Sequence, residues 1–256
     1  MTEELRQTRR GRARRHRPRR RATVVSVLGE LLITAGVLVL LFIGWQQWLN
    51  DKVVAAEQYQ QAAGLSEQLQ SAGQAAPTGP DADGEPPVTA APAEGQEFGV
   101  LYVPRFGADY AVPIAGGTST VRTLNQHGIG HYDDTQMPGQ VGNFSIAAHR
   151  TTYGAPFNRI ADLREGDRLY VQTQDGWYTY LYRNSQYVPA RQVSVLQPVP
   201  DSPDPATASG DRLMTMTSCH PMFTAQERII AYSVFEGWQP LGDGPPAELA
   251  ALGLGA

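Results

Sequence analysis

The sequence predicts an all-β domain, a closed or nearly closed barrel, preceded by one membrane-spanning helix. Three observations carry this. Between about Phe98 and Trp238, short β-branched or aromatic runs recur at regular spacing, broken by Gly, Pro, Asn and Asp, as in sandwiches and barrels of many short strands. Helical periodicity in the same stretch is thin, confined to a segment near Thr118 to Gln126 and a turn around Pro156 to Ala161. Ahead of both, residues 22–48 read ATVVSVLGELLITAGVLVLLFIGWQQW with Glu30 the only charge, long enough to cross about 30 Å of hydrocarbon.

The elements follow in order. Residues 1–21 are a basic tail with ten arginines, Arg6 to Arg21, against Glu3 and Glu4. Placed before an apolar span that ends in Trp45 and Trp48, such a tail is a topology determinant that keeps the N-terminus cytoplasmic and the rest outside. A nucleic-acid role is therefore not expected. The span is too long for a signal-peptide h-region, which argues for an uncleaved anchor. Residues 49–97 read as an extracytoplasmic stalk, frayed and without a sustained heptad, then a Pro/Ala/Gly-rich linker too poor in apolar residues to offset ordering entropy. Residues 98–239 are the globular domain, about 140 residues and so of ordinary domain size, expected to fold without what precedes it. Residues 240–256 read as a flexible tail.

Within the domain the strand candidates are Gly99 to Val103, Tyr110 to Pro113, Val141 to Ala148, Arg168 to Thr173, Trp177 to Val188, Arg212 to Thr217 and Ile229 to Trp238. Asp175-Gly176 between two of these runs is a strong hairpin signal. Pro189 to Gly210, rich in Pro and Asp, is a long loop of the kind that serves as a lid or binding loop or is simply a tolerated insertion.

Cys219 is the only cysteine. An exported lone thiol forms no internal disulfide and is either buried and inert or catalytic. It ends the alternating run Arg212 to Cys219 and meets His220-Pro221, where proline stops ordinary pairing and lets a side chain face a cleft. To become a thiolate near neutral pH it needs a partner. His220 is adjacent, yet successive side chains on a strand point to opposite faces. His149, at the end of the small apolar strand Asn143 to Ala148, is better placed. His127 and His131 lie in a Gly-rich turn where a substrate-lining role is as reasonable as none, and spacing alone does not choose among the histidines. Arg228 heads the apolar strand Ile229 to Phe235, either as a solvated edge charge or as a stabiliser of oxyanion charge.

These strings resemble the sortase family. Thr215-Met216-Thr217-Ser218-Cys219 is similar to the family's TLxTC signature, with Met216 and Ser218 as mild departures. Ala148-His149-Arg150 resembles its histidine motif, with Ala148 where glycine is common, and Glu227-Arg228 falls at its arginine spacing. Cys219-His220-Pro221 further resembles class E sortases of high-GC Gram-positive bacteria, in keeping with a chain whose only lysine is Lys52. The resemblance covers about Phe98 to Trp238. It implies an eight-stranded β-barrel with short helices and a cysteine transpeptidase that cleaves an LPXTG-like signal between Thr and Gly, with LAXTG preferred for class E. In it Cys219 is nucleophile, His149 general acid and base, and Arg228 oxyanion stabiliser. Thr217, Ser218 and the backbone N–H of His220 would contact substrate. The partners implied are surface proteins bearing the signal and an acceptor amine of the cell wall or another surface protein. No cofactor or metal is required by this chemistry. The competing readings are another exported Cys/His enzyme, such as an L,D-transpeptidase-like one or a peptidase, and a non-enzymatic anchored module with an inert thiol.

Overall fold

The computed structural model describes residues 23–45, 50–75, 79–80, 85–202 and 210–255. The basic tail 1–21, Trp48 and the centre of the Pro/Asp-rich loop lie outside the described residues. The chain forms two compact units, Met1–Gly44 and Trp45–Ala256. In the first, α1 (Val24–Gly44) has 21 residues and none buried. At 1.5 Å per residue it is about 31 Å long, the thickness of a bilayer core.

In the second unit eight strands close into a barrel: β1 (Glu97–Tyr102), β2 (Ala111–Gly116), β3 (Ile129–His131), β4 (Gly142–Ala148), β5 (Arg168–Thr173), β6 (Gly176–Pro189), β7 (Arg212–His220) and β8 (Glu227–Gln239), in the order β1-β2-β3-β4-β7-β8-β6-β5. The strand candidates all correspond to observed strands. Only β3 goes unforeseen, because three residues are too few to show alternation. The β5–β6 hairpin turns on Asp175-Gly176, pairing Thr173 with Gly176, whose φ of 142° favours glycine. The segment near Thr118 to Gln126 is a wide turn at Thr120–Leu124 running into the short α3 (Asn125–His127).

Side-chain alternation sorts the barrel walls. Phe144, Ile146 and Ala148 of β4, Met214 and Met216 of β7, and Ile229 and Ala231 of β8 join the interior cluster. Their neighbours Ser145, Ala147, Thr215, Thr217, Ile230 and Tyr232 therefore face outward. The outer face of β8 and β6 is covered by the β6–β7 connection, through a cluster of Val188, Val195 and Ile230, and Asn143 Nδ2 donates to the carbonyls of Val195 and Gln197 at 3.1 and 3.0 Å. The long loop is thus tied to the sheet at its N-terminal end.

Three segments differ from the sequence reading. Residues expected as a frayed stalk form α2 (Asn50–Ala75), which lies on the barrel: Ala62 and Leu69 pack with Val100, Tyr102, Ala111, Tyr170 and Trp177. Ser66 donates to Gln172 Oε1 at 2.8 Å and Tyr102 donates to the same oxygen at 2.9 Å, so a fully buried glutamine is satisfied jointly by α2 and β1. Part of the linker is also docked, with Thr89 buried and donating to Asp175 at 2.8 Å, and Tyr178 donating to the Pro87 carbonyl at 2.6 Å. The C-terminal tail folds back as α4 (Ala247–Ala251), burying Leu249 in the cluster under α2. Spaced leucines too sparse for a heptad suffice because the receiving surface is an apolar sheet, not another helix.

Candidate active site

β4 and β7 run parallel, with Ala147 paired to Thr217. Parallel partners finish at the same end of a barrel. Continuing the register by two residues sets His149 beside Cys219, and Ser218 Oγ donates to the Ala148 carbonyl at 2.9 Å across the step between. β8 pairs antiparallel on the other side of β7, where Cys219 is directly opposite Arg228. Paired residues share a face, so Cys219, His149 and Arg228 converge on the outward face at one rim of the barrel. The seventy residues between the histidine and the cysteine are spanned by sheet pairing.

Each group has an identifiable environment. His149 Nε2 is 2.8 Å from Asn125 Oδ1. An amide oxygen accepts, which makes Nε2 the protonated nitrogen and leaves the Nδ1 lone pair as the base. Its ring lies 5.2 Å from that of Tyr153. Burial pushes the His149 pKa below the ordinary histidine value, opposed by the carboxylate of Asp51 from the first turn of α2. Cys219 is half-buried and not in a disulfide. Arg228 uses Nη1 to donate to the carbonyls of Ala225 and Glu227 at 3.0 and 2.9 Å. These two bonds orient a guanidinium that carries five N–H donors.

Of the residues predicted to contact substrate, Thr217 is buried and shares a hydrogen bond of 2.9 Å with Tyr132. Ser218 is buried and turned to the other face, its hydroxyl engaged by Ala148, so it latches β7 to β4. The His220 imidazole also faces away from Cys219, as alternation requires. It takes a 2.8 Å contact from Arg150 Nη1 and lies 4.3 Å from the Tyr187 ring. His131 is buried against Phe144 with Nε2 donating to the Gln136 carbonyl, and His127 pairs with Glu97 at 2.7 Å. Neither is brought to the thiol.

Sequence reasoning missed Asn125, Asp51 and Arg150. The first two lie far from His149 in the chain and are joined to it only by folding. Arg150 is named in the sequence only as the residue that follows His149 in the histidine motif. It is 6% exposed, and its Nη1 donates to the Cys219 carbonyl at 3.3 Å. The visible signal was its adjacency to His149, since a side chain beside a strand end on the inward face is placed to reach under the neighbouring strand.

Residues 101–236 match the family described as Sortase domain. The sequence is 33% identical over 247 residues to sortase SrtE1 of Streptomyces coelicolor, covering 93% of this chain and 65% of that relative's length. It is 32% identical to sortase SrtE2 of the same organism over 93% of each chain. The crystal structure of Sortase E1 from Streptomyces coelicolor with a tripeptide in the active site superposes with a TM-score of 0.56 at 36% identity, covering 62% of this chain and 99% of that one.

Proposed function

The chain belongs to the sortase family, and from that premise we propose that it is a membrane-anchored cysteine transpeptidase acting through Cys219, His149 and Arg228. The observation that supports this best is the register of β4, β7 and β8, which brings a thiol, an imidazole and a guanidinium to one face of one barrel rim.

The substrate is an extended sorting signal of the LAXTG or LPXTG type on a surface protein, with LAXTG favoured by the likeness to class E relatives. Cys219 gives its proton to His149 and its sulfur attacks the threonine carbonyl carbon. The negative charge on the carbonyl oxygen is met by Arg228 and the backbone N–H of His220. As the Thr–Gly bond breaks, His149 returns the proton to the departing glycine nitrogen, and a thioester remains. An amine of the cell wall or of another surface protein then attacks the thioester carbon. The C–S bond breaks, and the amine's proton passes to His149. Asp51, whose carboxylate raises the pKa of His149 against the effect of burial, stabilises the imidazolium formed in each half-reaction.

α1 is the anchor, with the arginine-rich tail cytoplasmic and the barrel outside. The test is to incubate the full chain in detergent micelles with LAXTG and LPXTG peptides plus triglycine and to identify products by mass. A Thr–triglycine ligation product together with a thioester on Cys219 is expected. Cleavage elsewhere, or no adduct on Cys219 with either peptide, overturns the proposal.

A further inference from the structure

We propose that Arg150 is the positioning residue of the nucleophile: a buried guanidinium that grips the Cys219 carbonyl and the His220 ring from inside the rim, and so sets where the thiol stands between His149 and Arg228. This rests on the transpeptidase reading above and adds a residue that acts through Cys219 without touching the substrate.

The burial of an unpaired charge is the first argument. Arg150 is 6% exposed, its Nε is buried without a partner, and among the described residues its guanidinium forms no ion pair. A charge taken out of water and given no opposite charge is unfavourable, and a packed apolar side chain would serve the fold as well or better. What the guanidinium alone supplies is its donors. Nη1 carries two hydrogens; it meets the Cys219 carbonyl at 3.3 Å and His220 Nδ1 at 2.8 Å. Nδ1 therefore accepts, and the ring keeps its proton on Nε2.

The end of the backbone ladder is the second argument. The register of β4 with β7 runs to Ala147 and Thr217 and stops there, two residues short of Cys219. Beyond that point side chains join the two strands. Ser218 donates to the Ala148 carbonyl at 2.9 Å, and Arg150, two residues further along the other chain, donates back to the Cys219 carbonyl. This reciprocal pair carries the register up to the residues that react. Pro221, two residues past Cys219, has no N–H with which to add to it.

Arg150 is itself held at both ends. Asn158 Nδ2 donates to its backbone carbonyl at 2.9 Å, and the fully buried Phe157 donates its N–H to the His149 carbonyl at 3.0 Å, closing the loop after β4 onto the base. At the other end the His220 ring rests on Tyr187 of β6, which pairs with Ile229, the residue after Arg228. One bracket thus spans the strands that carry base, nucleophile and oxyanion donor. A misplacement of about 1 Å at a reacting atom is enough to cost about a hundredfold in rate.

The test compares the unmodified full chain in detergent micelles with Arg150→Met and Asn158→Ala, using a sorting-signal peptide and triglycine. Methionine removes the buried charge, and the acceptors it leaves belong to half-buried residues that water can reach, so Tm is expected to hold or rise. Asn158 is exposed, and folding is not at stake in its variant. In Arg150→Met kcat is expected to fall about a hundredfold with KM nearly unchanged, and in Asn158→Ala several-fold. A merely structural arginine predicts that turnover per folded molecule, scored by circular dichroism, is kept wherever Tm is kept. Turnover within about twofold of the unmodified chain in Arg150→Met, or in Asn158→Ala should the first variant not fold, overturns the positioning role alone, as does a loss carried wholly by KM. Absence of any thioester on the unmodified chain overturns the transpeptidase reading and this proposal with it.

Discussion

Ser218 donates its hydroxyl to the carbonyl of Ala148 at 2.9 Å, joining the residue before the proposed nucleophile to the residue before the proposed base. The two strands that carry the site are therefore locked at the step where the site begins. In Ser218→Ala the Ala148 carbonyl is left without this donor in a buried position, which costs on the order of 1–3 kcal/mol. The expected result is a lower Tm together with a fall in turnover larger than the fall in peptide affinity, read by calorimetry and steady-state kinetics. Unchanged turnover would show that the latch does not govern the spacing of thiol and imidazole.

Cys219→Ala is expected to abolish cleavage and transfer while leaving the barrel folded, because the side chain is half-buried at a strand end and belongs to none of the apolar clusters. Product analysis with circular dichroism on the same sample tests both halves. Residual transfer would remove Cys219 as nucleophile.

Arg228→Lys and Arg150→Lys separate two roles at one rim. Arg228 is offered as the oxyanion donor, and losing a transition-state donor is worth about 3 kcal/mol, roughly a hundredfold in turnover, with little change in Tm. Arg150 is buried and holds the Cys219 carbonyl and the His220 ring. A lysine lacks the planar fork, so its variant should lose stability and turnover together. Near-normal turnover in Arg228→Lys would leave the oxyanion to backbone donors.

Removing residues 1–96 strips α2 from Val100, Tyr102 and Tyr170 and leaves Gln172 without Ser66. Leu65 and Leu69 of α2 pack on the sheet, and each such leucine lost costs about 2 kcal/mol. For a domain of this size that total lowers Tm by on the order of 10 °C or more. Removing only residues 1–45 should leave Tm within a few degrees. Thermal melts of the two truncations decide; equal Tm values would show α2 to be dispensable.

Burial holds His149 and His131 below the ordinary histidine value of 6.5. In the window beneath 6.5 the unfolded chain binds more protons than the folded one, so stability rises with pH there. The contribution is complete above the unfolded value and is lost as pH falls through the two folded values. Urea unfolding between about pH 7.5 and 5 should show a decline that is shallower in His131→Gln. In Asp51→Asn, which removes the charge that raises His149, the imidazole should titrate at lower pH by NMR. A shift upward would contradict the electrostatic coupling.

Alternation and punctuation are local properties, and from them the sequence by itself determined the apolar span, the strands of the barrel except β3, the Asp175-Gly176 hairpin, and a thiol at a strand end with its neighbour His220 turned away. The family strings added the pairing of Cys219 with His149 and Arg228. Only the tertiary structure decided that α2 and α4 are parts of the folded unit, since their apolar positions gain meaning from the sheet they cover. It alone brought Asn125 and Asp51 to His149 and slid Arg150 beneath Cys219. These are contacts between residues distant in sequence or on adjacent strands, fixed by barrel closure and register, and no local pattern encodes which strand lies next to which.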